Sequence, residues 1–303
     1  CYHVSTDHKN VQCSVNPRFN REKRVPLILP VTGHPKHLVI VGGGPAGITC
    51  ALTASRRGHQ VTLLEKEPVL TGKLNIACHG EHKADLRRFR DYLLTQLRKS
   101  SVTVHTGVLA DTDVVRGLKP DALVIAVGAT PSRIPLPGVD GDNCMQISEF
   151  LQSPDTSLQH YIIIGGGSVG CETALDLAEK GKDVSIIEMA DCLASASNDL
   201  YRLALSEHFA RYDNLHTYLN SACQSIDADG VNVLTNGAST HISGDKVLLS
   251  LGFRPDAKQV SSLYGIVPDT YYVGDCERVA TVAEAVNNAY FIGANVFQEQ
   301  DII

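Results

Sequence analysis

Short apolar runs without polar alternation punctuate this chain, among them 38–41 (Leu-Val-Ile-Val), 161–164 (Tyr-Ile-Ile-Ile) and 122–126 (Ala-Leu-Val-Ile-Ala). A run of that kind predicts a strand buried on both faces, as in a parallel sheet covered by helices. Residues 246–251 repeat the pattern, and 102–106 (Val-Thr-Val-His-Thr) read as a further strand. Leu86, Phe89, Leu93 and Leu97 recur at helical spacing and predict an amphipathic helix over 84–99. A second helix is expected from about Val282 to Phe297, after the short segment Asp269-Thr-Tyr-Tyr-Val-Gly-Asp-Cys276. Strands alternating with helices imply an α/β fold.

One internal echo dominates. The first copy, His37-Leu-Val-Ile-Val-Gly42-Gly-Gly44-Pro45-Ala46-Gly47, is followed by Gln60-Val-Thr-Leu-Leu-Glu65. The second, Tyr161-Ile-Ile-Ile-Gly165-Gly-Gly167-Ser168-Val169-Gly170, is followed by Asp183-Val-Ser-Ile-Ile-Glu188. Each reads strand, glycine loop, helix, strand, acid, and each acid lies 23 residues after the first glycine. Gly42 and Gly165 suit a tight turn, Gly44 and Gly167 leave room for a pyrophosphate, and Gly47 and Gly170 let the helix approach the strand. The helix N-terminus offers unpaired N–H groups to the diphosphate, and Glu65 and Glu188 are placed to accept ribose hydroxyls. Two dinucleotide sites are therefore expected; the bland alternative, one unit that keeps the fold without a ligand, finds no bulky replacement in either loop. The tail beyond 257 is too small to fold alone, so it is expected to return to the first unit. That makes two Rossmann-like domains, the second inserted in the first: 1–35 an N-terminal extension, 36–145 plus 257–303 one domain, and 146–256 the other.

Composition narrows the function classes. Of 303 residues 43% are hydrophobic and 20% charged, which excludes a disordered chain. Lys and Arg number 27 against 33 Asp and Glu, a net charge of −6, with no basic tract for nucleic acid. Arg87, Arg88 and Arg90 read as a solvated helix face. No window approaches the about 20 apolar residues of a membrane span, and no secretory signal is evident. Nine cysteines, an odd count without a Cys-x-x-Cys, suit a reducing cytoplasm better than a disulfide scaffold. The chain begins at Cys1, so a fragment or processed product is expected.

The order of glycine fingerprint, Gly128 turn, second fingerprint, Gly252 turn and Gly274-Asp275 resembles the two-dinucleotide-binding flavoprotein superfamily. The resemblance implies FAD in the first unit, on Gly42, Gly44, Pro45, Ala46, Gly47, Glu65, Lys66, Ala126 and Gly128. Asp275 beside Gly274 would bond the ribitol chain, and the helix near Ala283 and Val286 would approach the flavin ring. The second unit would bind NADH through Gly165, Gly167, Ser168, Val169, Gly170, Glu188 and Gly252. A narrower match sits in Cys13-Ser-Val-Asn-Pro-Arg-Phe-Asn-Arg-Glu22 and in Gly72-Lys73-Leu74-Asn-Ile-Ala77. It is similar to the C-terminal part of 2,4-dienoyl-CoA reductase, enoate reductase and the bile-acid-inducible NADH:flavin oxidoreductases, and its second stretch resembles their flavin-contacting loop, which implies that Gly72, Lys73 and Leu74 contact FAD. In that group an FMN barrel precedes four cysteines spaced C-x2-C-x3-C-x11-C, which hold a [4Fe–4S] cluster. Cys1 and Cys13 match the third and fourth positions, or else are two unrelated thiols. Here the first two cluster cysteines are absent, and Thr71 stands where the group often has Gly.

The resemblance implies an FAD-dependent NADH oxidoreductase module. It would pass electrons to an iron–sulfur/FMN centre in a longer parent, or to an electron-acceptor protein, and so reduce an activated C=C bond. The other readings are a free-standing NADH:acceptor (ferredoxin-type) reductase and a non-catalytic nucleotide-binding docking domain. Hydride transfer between nicotinamide and flavin needs no side-chain acid or base, so no catalytic residue is assigned. Glu172 is the candidate beside the nicotinamide, or else an ordinary acid near a helix N-terminus. Glu188 with no Arg or Lys following it predicts NADH over NADPH.

Overall fold

The continuous apolar runs do form parallel strands in the computed structural model, which describes residues 12–80 and 83–297. In chain order come β1 (His37–Val41), α1 (Pro45–Arg56), β2 (Gln60–Glu65), α2 (Leu74–Ala77), α3 (Ala84–Arg98), β3 (Thr103–Thr106), α4 (Thr112–Gly117) and β4 (Ala122–Ile125). Next are β5 (Cys144–Gln146), α5 (Ile147–Gln152), β6 (His160–Ile164), α6 (Ser168–Glu179), β7 (Asp183–Ile187), α7 (Asp199–Phe209) and β8 (Leu215–Tyr218). Then follow β9 (Ser221–Asp227), β10 (Gly230–Thr235), β11 (Ala238–Ser243), β12 (Lys246–Leu249), α8 (Ala257–Leu263), β13 (Thr270–Tyr272) and α9 (Val282–Asn295).

The chain divides into two units, one of residues before Pro131 and after Gly252, the other of Pro131–Gly252. The first unit holds the parallel sheet β13-β4-β1-β2-β3. Successive side chains of β1 serve opposite faces. Leu38 and Ile40 join a core with Leu52 of α1, Phe89, Leu93 and Leu97 of α3 and Ala289 of α9. Val39 and Val41 join another with Val115, Leu263 and Val267. Each fully buried aliphatic side chain contributes about 1.5–3 kcal/mol, which is why a run with no polar position is stable only where both faces of the sheet are covered. The returning tail adds β13 to the sheet and lays α9 on α1. Gly293 makes that approach possible, since a Cβ there would lie 2.7 Å from the Cys50 carbonyl.

The second unit repeats the sheet as β5-β12-β6-β7-β8, all parallel. Its two faces are covered differently. Tyr161 and Ile163 pack on α5, α6 and α7, whereas Ile162 and Ile164 pack on Ile226, Val231, Val233 and Ile242 of an antiparallel meander, β9-β10-β11. The meander was not foreseen. Residues 131–145, expected with the first domain, belong to the second unit, because β5 pairs with β12 and a Cβ on Gly138 would lie 1.9 Å from the Ile226 carbonyl. Residues 253–256 lie in the first unit.

The described part of the N-terminal extension is bound to α9. The buried Asn287 side chain donates to the Cys13 carbonyl at 3.1 Å and accepts from Arg21 at 2.8 Å. Arg21 also lies over the Phe291 ring. Arg57, 2% exposed, donates to the carbonyls of Pro30 and Ala294, so its cation meets the carboxyl end of α9. The arginines of α3 have local partners: Arg87 donates to the Cys78 and Gly80 carbonyls and Arg88 pairs with Asp85.

His59, 4% exposed, accepts the Lys36 N–H at Nδ1, while Nε2 is buried with no hydrogen-bond partner among the described residues. Burial, and then the charges of Arg57 and Lys36, push its pKa below the ordinary value. The unfolded chain therefore binds a proton that the folded chain refuses, and stability falls as pH drops through 6.5 toward the lower folded pKa. Urea midpoints at pH 7.5 and 5.5 should diverge for the wild type and lie closer together for His59→Leu; equal divergence in both would contradict this.

Candidate functional site

Each unit carries the same local construction between its first strand and first helix. In the first, Gly42 adopts φ +114°, and a Cβ there would lie 2.2 Å from the Ala126 carbonyl oxygen. Gly44 caps α1 in an extended conformation with Pro45 next, so the helix starts without a side chain over its free N–H groups. A Cβ on Gly44 would meet nothing within 4 Å, whereas one on Gly47 would lie 1.9 Å from the Gly42 carbonyl. The first and third fingerprint glycines are thus demanded by the protein itself. Gly44 is not: its missing side chain leaves open space at the positive end of a helix, which fits a diphosphate.

The second unit matches. Gly165 adopts φ +105° with its Cβ position 2.3 Å from the Ser250 carbonyl, Gly170 is closed against Gly165, and Gly167 faces open space. Ser168 and Val169 form the first turn of α6, and Ser168 Oγ lies 2.8 Å from Ser197 Oγ.

The acids are held, not merely present. Gly43 N–H donates to one oxygen of Glu65 at 2.6 Å and Glu67 N–H to the other at 2.9 Å. Gly166 N–H and Ala190 N–H do the same for Glu188, at 2.6 and 2.8 Å. Charge-assisted bonds from backbone fix each carboxylate beside its glycine loop, leaving further lone pairs for a diol. The echo also runs further than the motif suggests. Thr71 N–H donates to the Gly43 carbonyl and Ala194 N–H to the Gly166 carbonyl, both at 2.7 Å. Both donors have positive φ, +75° and +48°, and Leu70 and Leu193 cover the middle glycines. Thr71 stands out in the sequence only as a departure from a glycine pattern, and Leu70, Leu193 and Ala194, neither glycine nor acid, give no signal there.

Further along the first unit, Gly72 lies against Gly44, its Cβ position 3.5 Å from the Gly44 Cα. Lys73 pairs with Asp275 at 2.8 Å, and Asp275 accepts the Ala280 N–H at 3.2 Å. Gly274 has φ +73° with its Cβ position 2.9 Å from Ala46 Cβ. These contacts bring Lys73, Asp275 and the start of α9 to the first glycine loop. Thr281 and Glu284 form a capping box there. Leu74 and Val286 are core residues, Ala283 is half-buried and Lys66 is exposed. Gly128 and Gly252 both turn with φ +74°.

In the second unit Glu172 accepts the Tyr201 hydroxyl at 3.0 Å. Burial and the Glu172 charge push the Tyr201 phenol up, so it stays a donor. Sequence reasoning missed Tyr201, which lies 29 residues away on α7.

The described cysteines are all free. Burial pushes the Cys50 and Cys171 thiols up to about 12, and Cys144 and Cys223 up to about 11, away from reactive thiolates. Cys13 is half-buried, Cys1 lies outside the described residues, and no three metal-ligating side chains cluster among the described residues. The described residues by themselves do not fit a four-thiolate cluster. No helix among the described residues is long and apolar enough to cross a membrane.

Comparison with known proteins gives the family. The family model for pyridine nucleotide-disulphide oxidoreductases matches residues 36–289. An NADH oxidase of Thermoanaerobacter brockii is 33% identical over 92% of this chain and 44% of its own length. A bilirubin reductase of Mediterraneibacter gnavus is 31% identical over 98% of this chain and 46% of its own. A solved 2-naphthoyl-CoA reductase in complex with 2-naphthoyl-CoA superposes with a TM-score of 0.90 at 27% identity, over 98% of this chain and 45% of that one. The chain thus spans less than half the length of these relatives.

Proposed function

This chain belongs to the pyridine nucleotide-disulphide oxidoreductase family, and we propose that it is an NADH-dependent flavin reductase module with FAD in its first unit and NADH in its second. The observation that carries the reading is the paired cradle. Gly44 and Gly167 face open space at helix N-termini, each beside a carboxylate clasped by two backbone N–H groups. FAD, when bound, supplies the two-electron acceptor for the hydride that NADH gives up as it becomes NAD⁺. The chain's own residues bind and orient. The N-terminal N–H groups of α1 and α6 receive the two diphosphates, Glu65 and Glu188 hold the adenosine riboses, and Asp275 meets the ribitol. Tyr201 keeps the Glu172 carboxylate in place on α6, where it would face the nicotinamide carboxamide.

Glu188 also sets the choice of nucleotide. A 2′-hydroxyl gains a hydrogen bond from it, whereas a 2′-phosphate meets a carboxylate with no Arg or Lys in the Met189-Ala190-Asp191 that follows. Met189 is 75% exposed, so an arginine is accommodated there. Glu188→Ala combined with Met189→Arg should move the ratio of kcat/KM toward NADPH by about tenfold or more. An unchanged ratio contradicts the assignment of Glu188.

The finer reading is that the module serves a longer, cytoplasmic ene-reductase. Electrons would leave toward an iron–sulfur and FMN centre outside this chain and end on an activated C=C bond. Supporting it are the half-length coverage of the relatives, the names bilirubin reductase and 2-naphthoyl-CoA reductase, and Cys13 held against α9 by Asn287. Sequencing the parent gene tests it. An upstream FMN-barrel sequence and two cysteines completing the C-x2-C-x3-C-x11-C spacing through Cys1 and Cys13 are expected; their absence overturns the finer reading and leaves the reductase module.

A further inference from the structure

Lys73 stands beside the first glycine loop, between Asp275 and Phe253. Its ammonium lies 2.8 Å from Asp275 Oδ2, with the side chains 31% and 22% exposed, and 4.1 Å from the centroid of the Phe253 ring. The other Asp275 oxygen accepts the Ala280 N–H immediately before the cap of α9, and Gly72, the neighbour of Lys73, lies against Gly44. A long flexible cation is here fixed at two ends, by a carboxylate and by an aromatic face. An ion pair this exposed adds little stability, so support of the fold does not account for the placement.

We propose that Lys73 poises the flavin: its ammonium is the counter-charge for the negative charge that the isoalloxazine gains on reduction, and it raises the reduction potential of the bound FAD. The proposal rests on the reading of the first unit as the FAD site. Two-electron reduction by hydride converts neutral isoalloxazine to a ring bearing one negative charge at neutral pH. A nearby cation therefore binds the reduced form more strongly than the oxidised one, and a nearby carboxylate does the opposite. Lys73 and Asp275 act as an opposed pair whose balance sets the potential. With the ammonium tied to Asp275 and Phe253, we place its effect at the ribitol and ring end of the nucleotide, and the ADP measurement separates that placement from one on the diphosphate.

The test uses the full chain reconstituted with FAD, by dye-coupled equilibration of the midpoint potential, and ADP affinity measured on the apoprotein. Lys73→Met should weaken the preference for reduced over oxidised flavin by roughly tenfold or more, a shift of about −30 mV at about 30 mV per decade for a two-electron couple. Lys73→Gln should shift it likewise, and Lys73→Arg should retain the wild-type value. Asp275→Asn, which unmasks the cation, should shift the potential upward. ADP affinity should be unaffected by Lys73→Met, since ADP carries the diphosphate but neither ribitol nor ring. A potential unchanged in Lys73→Met and Lys73→Gln with flavin bound overturns the proposal alone. So does a loss of ADP affinity with no change in potential, which assigns Lys73 to the diphosphate. A wild-type chain that takes up no flavin overturns the reading of the first site, and this proposal with it.

Discussion

Gly44→Val should abolish flavin uptake, weakening FAD by about a hundredfold or more, without unfolding the protein. The reason is geometric. A Cβ on Gly44 has no neighbour within 4 Å, so the branched side chain enters only the space at the head of α1 that a diphosphate must occupy. The residue's extended backbone, φ −74° and ψ −179°, suits valine without strain. Stability of the apoprotein should therefore stay within about 0.5 kcal/mol of wild type. Gly167→Val is the mirror experiment, since Gly167 is equally open and extended, with φ −67°. It should remove NADH binding and leave flavin content unchanged. Flavin absorbance after reconstitution and NADH titration followed by fluorescence give the four results. A Gly44→Val chain that loads FAD normally would show that the cradle is not the flavin site.

Gly42→Ala should damage the fold itself. Its Cβ would lie 2.2 Å from the Ala126 carbonyl oxygen and 2.6 Å from the carbonyl carbon, at φ +114°. Neither neighbour can step aside, because Ala126 N–H is bonded to the Val41 carbonyl at 2.8 Å and Gly42 N–H to the Leu64 carbonyl at 2.8 Å. Left-handed backbone costs a non-glycine residue about 1–2 kcal/mol, and forcing a carbon into packed backbone adds about 1–3 kcal/mol. A loss of about 3 kcal/mol or more is expected, read as a lower urea midpoint without flavin present. Wild-type stability in Gly42→Ala would contradict the turn geometry. The contrast between Gly42 and Gly44 separates a glycine required by the protein from one required by a ligand.

The parts legible in the sequence are those in which one residue type is dictated locally. The runs 38–41 and 161–164 announce buried strands because no polar position interrupts them, and the glycines and acids recur at one spacing. The meander of β9, β10 and β11 stayed hidden because few of its residues, such as Ile226, Val231, Val233 and Ile242, face the core and most of the rest are polar. The Pro and Gly content of residues 131–141 reads as a linker between domains, yet Gly138 lies against distant Ile226, and β5 just beyond pairs with β12. The clasps on Glu65 and Glu188 use backbone N–H groups, which every residue but proline possesses, so no side chain signals them. Thr71 and Ala194 share a left-handed backbone that neither residue type advertises. Tyr201 and Lys73 meet Glu172 and Asp275 only through the tertiary fold.

The most direct test of the central claim is an anaerobic visible spectrum of the FAD-reconstituted chain before and after one equivalent of NADH, with NADPH as the comparison. Bleaching of the flavin band by NADH, and much more slowly by NADPH, is the predicted result. Flavin that neither nucleotide reduces, or a chain that retains no flavin, would contradict it.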